Sequence, residues 1–67
     1  MNNWVLVPQD QAWDALQWAK EHCVTYITND AVATKIDDWD VIYYYRFYFM
    51  NSDQGRREQT AFALKWT

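Results

Sequence analysis

Apolar positions along the chain fall into runs with distinct spacing. Trp4-Val5-Leu6-Val7 is a short apolar run stopped by Pro8, which has no N–H to give to a sheet ladder, so the run predicts a strand. The spacing then changes. Ala12, Ala15, Leu16, Ala19 and Cys23 recur at steps of three and four, one stripe of an amphipathic helix over 10–22 with Trp13 and Trp18 at its flanks. Gln11, Asp14, Gln17 and Glu21 cover the opposite face, the Asp10 carboxylate suits an N-cap, and Lys20 and His22 suit the negative C-terminal end. Val24–Thr28 is β-branched and aromatic and predicts a second strand, and Asn29-Asp30 reads as a turn. Over Ala31–Asp38, Val32, Thr34 and Ile36 alternate as in a strand, while Val32, Ile36 and Trp39 also fit helical spacing. The preceding turn favours a short strand, followed by a loop at Asp37-Asp38-Trp39-Asp40.

Val41–Met50 is the strongest strand pattern in the chain. Val41, Tyr43, Tyr45, Phe47 and Phe49 alternate with Ile42, Tyr44, Arg46, Tyr48 and Met50, so both faces carry aromatic or apolar groups. Asn51–Arg56 has turn composition and holds the one glycine. Beyond it Thr60, Phe62, Leu64 and Trp66 alternate with Ala61, Ala63, Lys65 and Thr67, predicting a closing strand in a long antiparallel hairpin with 41–50. Phe47 and Leu64 fall on the more apolar faces of these strands and are expected in the core. The fold class expected is α+β: one amphipathic helix packed on a small antiparallel sheet of four to five strands, in the order β-α-β-β-β-β, as a single domain over 1–67.

Composition narrows what such a domain does. At 67 residues there is room for one core and little room for a deep pocket. A chain that is 51% hydrophobic and 19% aromatic is not disordered. The single Cys23 forms no internal disulfide, Met1-Asn2-Asn3-Trp4 lacks the character of a signal peptide, and no apolar run is long enough to span a bilayer. A cytoplasmic location is expected. Nine acidic against six basic residues give a net charge of −3, which argues against nucleic acid and anionic membranes as partners.

Sites of chemistry are sparse. Asp37, Asp38 and Asp40 gather three carboxylates, but they match no calcium loop, and a solvated or capping role accounts for them. His22-Cys23 sets a base beside a nucleophile, yet helix neighbours point about 100° apart, and one His with one Cys is too few ligands for a metal. No catalytic residue, cofactor or metal is expected, and the chain reads as non-enzymatic.

The aromatic strand is the informative feature. One short helix covers only one face of a sheet, so the face bearing Tyr44 and Tyr48, with Ile42 and Met50, lacks a cover from within the chain. Tyr and Arg dominate interface hot spots, which nominates Tyr44, Arg46, Tyr48, Arg56 and Arg57 as partner-binding residues. The expected function is a small protein-binding module, with the patch shared between the partner and a homodimer. A single-stranded nucleic-acid binder stacking bases on the same aromatics is the alternative, as is a minor structural component of an assembly.

A tryptophan-bearing helix ending in His22-Cys23, the Phe47-Tyr48-Phe49 strand, a polar insert and a closing Phe62-Ala63-Leu64-Lys65-Trp66 together resemble small accessory proteins encoded by tailed bacteriophages. That resemblance implies a partner that is a host or phage protein, met in the host cytoplasm, and carries over no catalytic residue.

Overall fold

A strand that is apolar on both sides belongs between two others, and Val41–Phe49 takes that place. The computed structural model describes residues 3–66, with the element order β1 (Trp4–Pro8), α1 (Gln9–His22), β2 (Tyr26–Lys35), β3 (Val41–Phe49) and α2 (Asp53–Trp66). β3 lies between β1 and β2 and is antiparallel to both. The class is α+β as expected, but among the described residues the sheet has three strands, not four to five, in the order β1-β3-β2, and there are two helices rather than one.

Three features of the sequence reading are corrected. Residues 60–66 are not a strand. They are the second half of α2, and the hairpin partner of β3 is β2. Phe62 and Trp66 satisfy either period; the neighbours decide, since Ala63 is half-buried whereas Leu64, expected in the core, is 82% exposed. Helix formers fill 56–65, and Ser52 caps the first turn, its Oγ accepting from the Gly55 N–H at 3.0 Å. Asn29-Asp30 is not a turn either. It lies inside β2, where a cross-strand ion pair from Asp30 to Arg46 offsets the poor strand propensity of aspartate. Finally, Asp10 makes no capping bond: Pro8 holds the N-cap position, and Asp10 contributes only charge in the first turn.

Both helices pack on one face of the sheet. Val5 and Val7 of β1, Phe47 and Phe49 of β3, Ala15 and Ala19 from α1, Cys23 just past its end, and Phe62 from α2 form the buried core. Phe47 sits in it as expected. Phe62 is its hub, with ring centroids 5.0 Å from Phe47, 5.4 Å from Phe49 and 6.1 Å from Trp18. The alanines of α1 let the helix approach the strands closely. Glu58 ties α2 to the start of β2: its Oε1 accepts from the Thr25 N–H at 2.9 Å and from the Thr25 hydroxyl.

The far half of the β2–β3 hairpin runs past the helices as an arm. The molecule measures 41 × 25 × 19 Å, and its radius of gyration of 12.4 Å exceeds the roughly 11 Å of a compact chain this long. At the tip, Asp37 Oδ1 accepts from the N–H groups of Trp39 and Asp40, both at 2.8 Å, which fixes the turn. Met1, Asn2 and Thr67, which enter the leader reading and the closing alternation, lie outside the described residues.

Candidate protein-binding face

Because side chains alternate across a strand, the register fixes what stands on the face turned away from the helices. Directly opposed residues share a face, so Trp4 and Leu6 of β1, Ile42, Tyr44, Arg46 and Tyr48 of β3, and Thr28, Asp30, Val32 and Thr34 of β2 stand together there. Of the five residues nominated from sequence, Tyr44, Arg46 and Tyr48 fall on this outer face. Arg56 and Arg57 do not: both are exposed on α2, on the other side of the sheet. Arg56 is held locally, with Nη1 donating to Asn51 Oδ1 at 3.3 Å and Nη2 paired with Asp53.

The centre of the outer face is a fixed polar cluster in an aromatic frame. Arg46 donates to Asp30 through Nε at 2.8 Å and Nη2 at 2.7 Å, a two-pronged pair of the geometrically specific kind. Its guanidinium lies 5.8 Å from the Trp4 ring centroid and 5.7 Å from that of Tyr48, within cation–π range of both. The Tyr48 hydroxyl donates to Asp30 Oδ2 at 3.2 Å. Hydrogen bonding from Arg46, reinforced by its charge and by the Tyr48 bond, holds the Asp30 carboxyl below the usual carboxylate range against the opposing pull of burial. The same Asp30 bond raises the Arg46 guanidinium. Around this cluster Leu6 and Ile42 are exposed, and Tyr44 and Val32 are half-buried.

Trp4 and Asp30 are the members that sequence reasoning missed. The apolar run around Trp4 is visible in the sequence, but which strand it borders is not, and Asn29-Asp30 has the composition of a turn. Only the sheet order brings both beside Arg46.

The other candidates resolve into structural roles. Hydrogen bonds from the Trp39 and Asp40 backbone hold Asp37 below its usual range, and among the described residues no three His, Cys, Asp or Glu side chains are gathered to hold a metal ion. Burial pushes the Cys23 thiol up, and the nearby Glu58 charge adds to the rise, so the sulfur is not activated. No helix among the described residues is long and apolar enough to cross a membrane. The chain matches no protein-family model, no curated protein and no solved structure.

Proposed function

We propose that the chain is a small non-enzymatic protein-binding module that engages its partner through the outer face of the sheet. The observation that supports this is an uncovered sheet face framed by Trp4, Tyr44 and Tyr48 around a fixed Arg46–Asp30 pair. Aromatic anchors with an ordered arginine are what hot spots are made of, and a rigid face loses little freedom on binding. The partner is a protein met in the cytoplasm, a host or phage protein on the resemblance to phage accessory proteins. A homodimer through the same face would compete with it.

Nucleic acid suits the face less well. Asp30 and Arg46 are the only charged side chains among the opposed positions named above, and they neutralise each other. A phosphate backbone would find no unengaged cation there, and net charge of −3 repels it from a distance.

The test is capture from host lysate by the tagged chain and by its Tyr44→Ser, Tyr48→Ser variant, at salt from about 0.15 to about 0.5 M. The expected result is one protein retained across that range by the original chain and lost by the variant. Capture that survives both substitutions, or that disappears with nuclease or moderate salt, refutes the assignment.

A further inference from the structure

Main-chain bonds in an antiparallel ladder alternate, so each residue of an edge strand either bonds inward or turns its N–H and C=O away from the sheet. Three bonds set the alternation here. The Ile36 N–H donates to the Asp40 carbonyl at 3.0 Å, and the Met50 N–H donates to the Thr25 carbonyl at 2.9 Å, so the even-numbered positions along β3 bond to β2. The Phe49 N–H donates to the Asn3 carbonyl at 2.9 Å, so the odd-numbered ones bond to β1. Thr28, Asp30, Val32 and Thr34 stand opposite even positions and bond inward. Asn29, Ala31, Ala33 and Lys35 therefore direct their main-chain groups outward, along the free edge of β2.

That edge is not guarded in the ways edges usually are, by proline, free charge, a bulge or a covering element. The bulge of β2 lies at its root, between Tyr26 and Thr28, and Lys35 stands at its far end. The Asp30 charge is tied to Arg46. Among the described residues, the core draws on β2 only at Tyr26. The opposite edge differs: β1 has five residues and closes on Pro8, which has no N–H to offer.

Between the bulge and the tip turn the straight stretch runs from Thr28 to Ile36, and Val32 is its midpoint. The four outward-facing residues are spaced evenly about it. A two-fold axis normal to the sheet beside Val32 lays β2 antiparallel to a second β2 and maps this set onto itself. We propose that two copies of the chain join edge to edge through β2 in this register, extending the two three-stranded sheets into one. Ala31 meets the partner's Ala33, and Asn29 meets the partner's Lys35, so each outward N–H finds a carbonyl on the other chain. Between them Val32 faces the partner's Val32, and Asp30 faces the partner's Thr34. No like charges are opposed, and the alanines add no bulk at the seam. Sliding the pair by two residues either way sets Lys35 against the bulge or Asn29 against the tip turn, so this register is the one that uses the whole edge. An axis normal to the sheet keeps both helix layers on one side, held apart by the two β2 strands. Both outer faces fall on the other side, with their Arg46 clusters side by side. The seam is mostly main chain and small, which places the association in the weak, reversible class. It does not depend on what the outer face binds.

The test uses the full chain in sedimentation velocity over a roughly hundredfold concentration range reaching about 1 mM, where a reversible dimer is expected. Ala33→Pro removes an N–H that the β2–β3 ladder does not use, and is expected to leave circular dichroism unchanged while weakening the dimer at least about tenfold. Tyr44→Ser, Tyr48→Ser alters only the outer face and is expected to leave the dimer intact. The register is read by cross-linking with oxidised glutathione. Val32→Cys faces its own copy as a pair without main-chain bonds, at a Cα separation of about 4.5 Å, which a disulfide spans. Thr34→Cys is offset from its own copy by about 13 Å along the strands. Val32→Cys is therefore expected to form the covalent dimer at least about tenfold faster than Thr34→Cys, with the buried Cys23 of the original chain as background. This readout holds even if Ala33→Pro fails to fold. A chain that stays monomeric throughout, a dimer that survives in folded Ala33→Pro, loss of the dimer in the outer-face variant, or Thr34→Cys cross-linking as fast as Val32→Cys overturns the proposal.

Discussion

Phe62 and Leu64 are two residues apart, and their fates separate a helix from a strand over 60–66. On a strand both would face one way and both truncations would be costly. In α2 they point to different sides: Phe62 is fully buried against Phe47, Phe49 and Trp18, while Leu64 is in solvent. Phe62→Ala removes roughly 150–250 Å² of buried ring at about 25 cal/mol/Å², a ceiling of roughly 4–6 kcal/mol before allowing for compactness of the unfolded chain. The expected loss is about 3–5 kcal/mol, in line with other buried aromatic truncations. A domain of 67 residues has only roughly 3–10 kcal/mol in total, so the variant will stand at the edge of unfolding. Phe62→Leu keeps most of the volume and provides the graded measurement, at about 1–2 kcal/mol. Leu64→Ala should stay within about 0.5 kcal/mol. Urea titration followed by far-ultraviolet circular dichroism and tryptophan emission reads all three. With a slope of about 1 kcal/mol/M, Phe62→Leu moves the midpoint by about 1–2 M and Leu64→Ala by less than about 0.5 M. A Leu64→Ala cost that rivals that of Phe62→Ala would refute the helix.

Gly55→Ala should destabilise despite alanine's better helix propensity, because the added methyl would collide with the Met50 carbonyl oxygen. The Met50 N–H is bonded to the Thr25 carbonyl at 2.9 Å and cannot easily yield, so a melting temperature lower by about 4–8 °C is expected, and an unchanged one contradicts the close approach. Cys23 should react slowly with an aromatic disulfide at neutral pH and rapidly in denaturant; rapid reaction in the native chain would show that the thiol is neither buried nor raised. Burial pushes Glu58 up, but bonds from Thr25, Gln54 and the Val24 backbone outweigh it and hold the carboxyl below its ordinary range. Its contribution is therefore complete above the unfolded value of about 4.3 and fades as pH falls through the lower folded value. The stability gap between the chain and Glu58→Gln should accordingly shrink on acidification below about pH 4, and a gap independent of pH would exclude a charged Glu58 clamp.

Local periodicity was a sound guide where one element dominated its own window. The alanine stripe of α1, the run at Trp4–Val7 and the two-faced strand at 41–49 were all legible, since each repeats its period over enough residues to exclude the other. The failures have physical causes. At 60–66, the three alternating apolar residues Phe62, Leu64 and Trp66 span too short a window to separate a period of 2 from 3.6, and Leu64, an exposed apolar residue on a surface helix, favours the wrong one. Ser52 and the glycine at 55 also have turn composition, so the stretch 51–56 hides the cap, and the alternation that follows hides the helix formers. At Asn29-Asp30 a local turn preference was overridden by a long-range partner, Arg46, that no local window contains. The same limit applies to the binding face. Alternation grouped Tyr44, Arg46 and Tyr48 correctly, but it had no means to add Trp4 and Asp30 or to send Arg56 and Arg57 elsewhere.

The central position of β3 also sets where the chain tolerates changes in length. Deleting one residue within 44–48 would exchange the two faces beyond it, sending Phe47 or Phe49 toward solvent and a tyrosine or arginine into the core, and would disturb both ladders together. Adding or removing a residue at 37–40 changes only the loop at the end of the arm, far from Phe62 and the helices. The hairpin can thus vary in reach while the core keeps its alignment, and length variation among any descendants of this chain should gather at the tip that carries Trp39.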